Sequence, residues 1–301
     1  MPIQLTRRDF VSISASGLAL GALPAGLFAR WDQRDFKVSL NEGSLHRHLN
    51  NKKYDHLDLA GIARQEFGIE AIEYVSSYFS GQLANEKYIK QMNRRAAAEG
   101  VRQILIVVDD AGRLADADAA KRAAAIKKHL PWIDLAKTLG CHSVCVRIEG
   151  DGAAKEQIKR GGDSLAQLAD YAKTRRIHVL VCCCGGKGWQ SGDLLDLIKG
   201  TESRNVGLYP SFGGPDANDA YSELARLMPF AKGVRATSRE FDEKGNETSM
   251  DFHRMIKIVL DAGYRGYISI HYQGNDEMNG IRATKALLDR TLAAEMEQKK
   301  S

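Results

Sequence analysis

Two features of the sequence predict an α/β protein folded as a single-domain (β/α)8 TIM barrel. From Phe36 onward, short apolar runs alternate with longer stretches of helical periodicity, the pattern of a parallel sheet with helical crossovers. No Pro- or Ser-rich linker divides the chain, and its 301 residues are enough for one such barrel. A doubly wound open sheet is the alternative arrangement of the same elements.

The predicted strands are short apolar runs, and a longer segment with helical periodicity follows each of them. In order, the strands are expected at Phe36–Leu40, Ala71–Tyr74, Gln103–Val108, Ser143–Ile148, His178–Cys182, Val206–Tyr209, Gly233–Ala236 and Tyr267–His271. The helices are expected at Leu57–Glu66, Glu86–Glu99, Ala117–Leu139, Gly162–Thr174, Gly192–Lys199, Ala217–Met228, Met250–Ala262 and Ile281–Glu297. In a barrel of this kind the active site lies at the C-terminal ends of the strands.

The composition bears on the class of partner. Hydrophobic residues make up 44% and charged residues 27% of the chain, values typical of a globular domain with a large core. The formal net charge is +5, and the Lys and Arg residues are dispersed among acidic ones. This pattern indicates a solvated surface and favours a small-molecule ligand over a nucleic acid.

Residues 1–29 are predicted to be an export signal, and residues 30–301 the barrel. Thr6-Arg7-Arg8-Asp9-Phe10-Val11 resembles a twin-arginine signal, and an apolar stretch of small residues follows up to about Leu23. That stretch is shorter than the roughly 20 apolar residues of a membrane span. The expected location is the periplasm or the cell exterior, with no membrane attachment after export. An amphipathic leader without an export role is the alternative.

Many segments, in order, resemble the xylose-isomerase-like family of sugar phosphate isomerases and epimerases. They are Ser44-Leu45-His46-Arg47, Phe67-Gly68-Ile69-Glu70-Ala71-Ile72-Glu73-Tyr74-Val75, Leu139-Gly140-Cys141-His142-Ser143, Met228-Pro229-Phe230-Ala231-Lys232-Gly233-Val234, Gly245-Asn246-Glu247-Thr248 and Asp261-Ala262-Gly263-Tyr264-Arg265-Gly266-Tyr267-Ile268. The resemblance runs from about Ser39 to Leu288 and implies a TIM barrel that binds a sugar or a sugar-derived small molecule. Resemblance of fold does not by itself establish chemistry.

The resemblance also implies where a metal would bind. The family places Glu, Asp, His and Glu at the ends of strands five to eight to hold one divalent cation, and the matching residues here are Cys182, Ser211, Arg239 and His271. Such a cation prefers oxygen ligands, and Arg239 would repel it by several kcal/mol even at an effective dielectric constant of ~20. A divalent metal is the family norm, but no metal and no other cofactor is expected here. The four residues are expected to converge at one barrel mouth.

The candidate site residues follow from these positions. Cys182 and His271, which match the family's glutamates, are the candidate catalytic residues. The candidate substrate-binding residues are His46, Glu73, Arg147, Glu149, Trp189, Ser211 and Arg239. The predicted function is that of a divergent isomerase- or epimerase-like protein that binds carbohydrate or retains weak activity.

Other interpretations of these residues stay open. Cys182, Cys184 and His271 could supply soft ligands for zinc or copper, which would leave an active isomerase or epimerase. Altered acid/base groups such as Glu73, Glu149 and His271 are a second route to activity. Without a metal, a donor-rich mouth could bind the carboxylate or phosphate group of a ligand through Arg239, Arg147, His271, Ser211 and His46. Arg239 could instead form an ordinary surface ion pair, and Trp189 could pack on the barrel rim rather than stack on a sugar. The apurinic endonuclease branch of the fold needs a multi-metal cluster and a basic groove, and neither is evident in the sequence.

Overall fold

The computed structural model describes residues 37–182, 189–213 and 220–298. Their strands are β1 Lys37–Asn41, β2 Ala71–Val75, β3 Arg102–Val108, β4 Ser143–Val146, β5 His178–Cys182, β6 Val206–Tyr209, β7 Val234–Ser238 and β8 Tyr267–Tyr272. Their α-helices are α1 His46–Asn50, α2 Leu59–Phe67, α3 Glu86–Ala98, α4 Ala119–Leu139, α5 Ala154–Lys173, α6 Ser191–Gly200, α7 Ala220–Leu227, α8 Phe252–Asp261 and α9 Glu277–Gln298. Short 3-10 turns cover Glu42–Leu45 after β1, His56–Asp58 before α2 and Ser76–Phe79 after β2.

The strands form one parallel sheet in the order β6-β5-β4-β3-β2-β1-β8-β7. Backbone hydrogen bonds also join the two ends of this order. The amide of Lys232 donates to the carbonyl of Leu208 at 3.0 Å, and the amide of Phe212 donates to the carbonyl of Arg235 at 2.8 Å. The predicted TIM-barrel fold is confirmed, and all of its described residues belong to one compact unit.

The largest difference from the predicted elements is at the start of α5. The helix was expected to begin at Gly162 but begins at Ala154, and a pair of glycines lies within it. A Cβ atom on Gly161 would lie 2.4 Å from the side chain of Ile148, which is too close for any other residue. The glycine therefore marks a close contact between α5 and the chain after β4, not the end of a helix.

The barrel interior has an apolar side and a polar side. The apolar side lies on β2 to β5 and contains Val75, Leu105, Val107, Cys145 and Leu180, all buried. The polar side lies on β6, β7, β8 and β1 together with Glu73 of β2, and hydroxyl, carboxylate, guanidinium and imidazole groups face one another there. None of the described helices is long and apolar enough to cross a membrane.

Candidate functional site at the barrel mouth

Three side chains form a hydrogen-bonded line across the ends of β6, β7 and β8. The hydroxyls of Ser211 and Thr237 lie 2.6 Å apart, and the Thr237 hydroxyl lies 3.4 Å from Nδ1 of His271. Thr237 and His271 are paired residues in the β7–β8 register, so the sheet itself brings them together. The line offers two hydroxyls and one imidazole to a ligand.

A fixed cation lies beside this line. Arg235 is two residues before Thr237 on β7, so its side chain points to the same side of the strand. Arg235 is 8% exposed. Its Nε donates to the Ser211 hydroxyl at 3.4 Å, and its guanidinium carbon lies 5.7 Å from the centre of the Tyr209 ring. The guanidinium is therefore held at the polar side of the barrel, where a cation–π contact with Tyr209 supports it.

His271 is neutral in this environment. Burial, followed by the positive charge of Arg235, lowers the pKa of His271 from its usual 6.5 to about 3. His46 and Arg147 lower this pKa further, whereas Cys182 acts in the opposite direction. The imidazole at neutral pH is therefore uncharged and a weak base.

The 3-10 turn after β1 packs directly on His271. A Cβ atom on Gly43 would lie 3.4 Å from Nε2 of His271 and 3.0 Å from the side-chain oxygen of Asn41. The absence of a side chain at Gly43 thus lets the turn approach both groups. The turn leads into His46, the first residue of α1, whose Nδ1 lies 3.2 Å from the carboxylate of the buried Glu277 at the start of α9.

Glu73 lies in the interior and binds four neighbours. Its carboxylate accepts hydrogen bonds from Ser39 at 3.2 Å, Asn41 at 3.2 Å, Ser269 at 2.7 Å and Tyr209 at 2.5 Å. Burial raises the pKa of this carboxyl group, whereas the four donors lower it. The contacts show that Glu73 joins β1, β2, β6 and β8. Its role as a substrate ligand stays a prediction.

The structure leaves Arg239 outside the group formed by Ser211, Thr237 and His271. Arg239 follows the last residue of β7, is exposed, and donates to the side chain of Gln273 at 3.1 Å. Thr237 takes the position next to Ser211 and His271 that was assigned to Arg239 from the sequence. The expected convergence of the strand ends therefore includes Thr237 in place of Arg239. An ion pair of Arg239 with a neighbouring carboxylate was the other expectation, and its side chain contacts an amide instead.

The remaining candidates lie at different depths. Cys182 is 1% exposed within the barrel interior and close enough to His271 to influence its pKa. Arg147 lies 3.8 Å from the carboxylate of Glu149, and both side chains are nearly half exposed. Trp189 is buried. Cys184, which the soft-metal hypothesis requires, lies outside the described residues.

Sequence reasoning missed Arg235 and Thr237. The predicted strand seven ended at Ala236, whereas β7 continues to Ser238. Side chains alternate along a strand, so a strand with the correct end would have placed residues 235 and 237 on the interior side. Ser238 confirms this alternation, because its hydroxyl faces outward and lies 2.6 Å from that of Thr284 on α9.

The residues at the mouth fit a hard divalent cation poorly. Ser211, Thr237 and His271 are neutral donors, Cys182 is a thiol, and Arg235 adds a permanent positive charge. Hard cations prefer carboxylate oxygens. Within the ranges that the structure describes, no group of three or more His, Cys, Asp or Glu side chains is arranged to hold a metal ion.

A second buried pair of ionisable groups lies between β2 and α3. Nε2 of His56 is 3.1 Å from Oε1 of Glu42, but the two atoms are not aligned for a hydrogen bond. Oε2 of Glu42 accepts from the amide of Val75 at 2.8 Å, and Nδ1 of His56 lies 2.6 Å from the Tyr88 hydroxyl. Burial raises the pKa of Glu42 well above its usual range and lowers that of His56 to about 4. Burial therefore disfavours the charged form of each group.

Comparisons with known proteins agree with this architecture. A segment of 53 residues is 38% identical to the C-glycoside deglycosidase alpha subunit of Arthrobacter globiformis, and it covers 18% of this chain and 15% of that protein. A xylose isomerase-like TIM barrel protein from Mycobacterium smegmatis, solved in complex with magnesium, is 16% identical with a TM-score of 0.66 over 88% of this chain and 99% of that one.

The D-psicose 3-epimerase of Clostridium cellulolyticum, solved with D-tagatose, is 12% identical with a TM-score of 0.65 over 88% of this chain and 98% of that one. At such identities the two structures show a common fold and nothing finer. The model of the family described as xylose isomerase-like TIM barrel matches residues 63–291. Because that match covers most of the chain, the protein belongs to the xylose isomerase-like TIM barrel family.

Proposed function

We propose that this protein binds a sugar or a sugar-derived small molecule at the barrel mouth, as a divergent member of its family that works without a divalent cation. The observation that carries the proposal is the set of side chains at the ends of β6 to β8. Ser211, Thr237 and His271 are neutral hydrogen-bonding groups, and Arg235 supplies the positive charge. Hydroxyls and a neutral imidazole suit the hydroxyl groups of a carbohydrate.

Three comparisons support a carbohydrate ligand. The family model covers the strands that form the mouth, and the epimerase of similar fold was solved with D-tagatose. The short match to a C-glycoside deglycosidase subunit favours a glycoside or another sugar derivative. The polar side chains also lie at the C-terminal ends of the strands, where this fold binds its ligands.

The low basicity of His271 favours ligand binding over the proton transfer that an isomerase or epimerase performs. A general base works best when its pKa is close to the working pH. With a pKa of about 3, His271 is a poor base at neutral pH. An isomerase or epimerase with altered acid/base groups or a soft metal is the alternative proposal, and its requirement for Cys184 concerns a residue outside the described ranges.

The test combines metal analysis with thermal unfolding. The purified protein is expected to contain no stoichiometric manganese, magnesium or cobalt, and added metal should not raise its Tm. The measurement is sensitive, because a ligand at ~100 times its Kd stabilises a protein by ~2.7 kcal/mol. Stoichiometric manganese, together with isomerase turnover that a chelator removes, would contradict the proposal.

A pair of multiple variants checks the assignment of the ligand positions. In an Arg235→Gln background, which removes the permanent positive charge beside Ser211, Cys182→Glu, Ser211→Asp and His271→Glu combined with Thr237→His should acquire manganese binding, because four ligands would then lie at the mouth. The same three changes combined with Arg239→His in the same background should not, since that side chain lies outside the group. Equal metal binding by both variants would show that the β7 position is wrongly assigned.

We also propose that the protein is exported through the twin-arginine pathway. The support is the Thr6-Arg7-Arg8-Asp9-Phe10-Val11 segment followed by an apolar stretch. Arg7→Lys combined with Arg8→Lys is expected to abolish accumulation of the folded protein in the periplasm. Unchanged export of the double variant, measured by cell fractionation, would show that the leader has another role.

A further inference from the structure

We propose that Arg235 binds the ligand directly and that the ligand is a sugar acid, a carbohydrate whose carboxylate pairs with this guanidinium while its hydroxyls contact Ser211, Thr237 and His271. The inference rests on the proposed carbohydrate site and names the ligand class for it. It assigns a specificity-determining role to a residue that no sequence motif indicated.

The first argument is the position of Arg235. Its side chain starts from an interior position of β7, is 8% exposed, and lies beside the Ser211 hydroxyl. Ser211 in turn contacts Thr237, which contacts His271. A ligand that reaches these three donors is therefore next to the guanidinium as well.

The second argument is the charge of the mouth. Three positive or potentially positive groups, Arg235, His46 and Arg147, all act on His271 in the same direction. His46 and Arg147 lie beside carboxylates, whereas the fixed guanidinium of Arg235 next to Ser211 favours an anionic ligand and disfavours a cation. A neutral sugar could accept hydrogen bonds from these groups, but only an anionic ligand would neutralise the guanidinium charge.

The third argument is the geometry of the cation. A guanidinium presents parallel N–H donors that match the two oxygens of a carboxylate, and such charge-assisted pairs are stronger than neutral hydrogen bonds. Phosphate groups in this fold are commonly bound by the loops after strands seven and eight and by a helix N-terminus. Arg235 instead projects from within β7, and its single charge matches one carboxylate.

The experiment is calorimetric titration of the purified protein with a panel of hexuronates, each compared with its parent hexose and with the hexose 6-phosphate. We expect at least one hexuronate to bind about 10- to 100-fold more tightly than its parent hexose, the range of one charge-assisted hydrogen-bonding pair. This comparison needs no variant, so it stands even where a substitution impairs folding.

Variants then test whether Arg235 causes the preference for the hexuronate. Arg235→Gln should remove the preference for the hexuronate and leave the affinity for the hexose within a few-fold, whereas Arg235→Lys should retain part of the preference. Arg239→Gln is the matched control, because Arg239 is an exposed arginine just beyond the same strand. It should leave both affinities unchanged.

The other outcomes overturn the inference in distinguishable ways. Equal affinity for hexuronate and hexose, both weakened by Thr237→Val, would refute the sugar-acid assignment and leave the carbohydrate site standing. Tighter binding of the 6-phosphate than of the hexuronate would show that Arg235 binds a phosphoryl group and not a carboxylate. No binding by any member of the panel would overturn both the assignment and the proposed carbohydrate site.

Discussion

The two sides of the barrel interior contrast in how they are stabilised. Apart from Glu73 on β2, the interior of β2 to β5 is filled by apolar contacts, with Leu180 fully buried among Leu105, Val107 and Cys145. On the opposite side the buried groups are polar, and each hydrogen bond there joins different strands. Buried polar groups are stable only when they are paired. The comparison shows that one side is specialised for packing, whereas the other provides the donors and the charge of the candidate site.

The largest effect is expected on the polar side, from Glu73→Ala. The change would leave four buried donors without their acceptor, at about 1–3 kcal/mol each, so the free energy of unfolding should fall by at least about 4 kcal/mol. Urea denaturation measures it. Glu73→Gln keeps an accepting oxygen and should lose much less. A loss below about 1 kcal/mol for the alanine variant would show that the network contributes little.

The matching change on the apolar side is Leu180→Ala. Leu180 is fully buried, and truncation of a buried leucine typically lowers the free energy of unfolding by about 2–5 kcal/mol, so we expect about 3 kcal/mol. Leu180→Met, which nearly conserves volume, should lose less than about 1.5 kcal/mol. Because Leu180 packs in the apolar cluster, its truncation should not change the ligand affinity of the folded variant. Altered affinity would mean that the two sides are coupled.

His56, which packs on the outer surface of β2, should make the stability of the protein depend on pH. Burial lowers the pKa of His56 to about 4 from a usual 6.5. Between these values the unfolded state binds more protons than the folded state, so stability is lost as the pH falls from about 6.5 to 4. Since one pKa unit corresponds to about 1.4 kcal/mol, we expect His56 to account for about 2 kcal/mol of that loss. Unfolding curves at pH 7 and pH 4.5 measure it.

His56→Phe is the control for the pH effect, because phenylalanine keeps the ring contacts with Phe79 and Tyr74 but does not titrate. The variant should show a weaker dependence on pH. The neighbouring Glu42 acts with the opposite sign, since its raised pKa means that stability declines as the pH rises above its usual 4.5. An unchanged pH dependence in His56→Phe would exclude this histidine as a source.

The smallest effect on stability is expected at the mouth itself, from Thr237→Val. The change removes a partly exposed hydroxyl between Ser211 and His271, so the free energy of unfolding should fall by only about 1 kcal/mol. Ligand affinity should fall as well, and Thr237→Ser should preserve it. A large loss of stability with unchanged affinity would assign Thr237 to the structural part of the polar side.

The differences between the predicted and the observed helices and strands show how much structural information the local sequence pattern contains. Alternating apolar runs and helical segments were sufficient to predict the strands and the barrel, because burial of a parallel sheet requires that pattern. The same reasoning misplaced the start of α5 at Gly162. A glycine that borders a helix and one that permits a close contact inside it look the same in sequence, and only the approach of Ile148 to the adjacent Gly161 shows which kind this pair is.

The sequence by itself determined the fold, the expected ligand-binding end of the barrel and the presence there of Ser211 and His271. Only the tertiary structure decided that Thr237 and Arg235, not Arg239, complete the group, because the end of β7 sets which side chains face inward. It also decided the neutral state of His271, since the lowered pKa depends on burial and on charges from other strands. Glu73 is the clearest case: its four donors come from three other strands, and no local pattern records which strands meet inside a barrel.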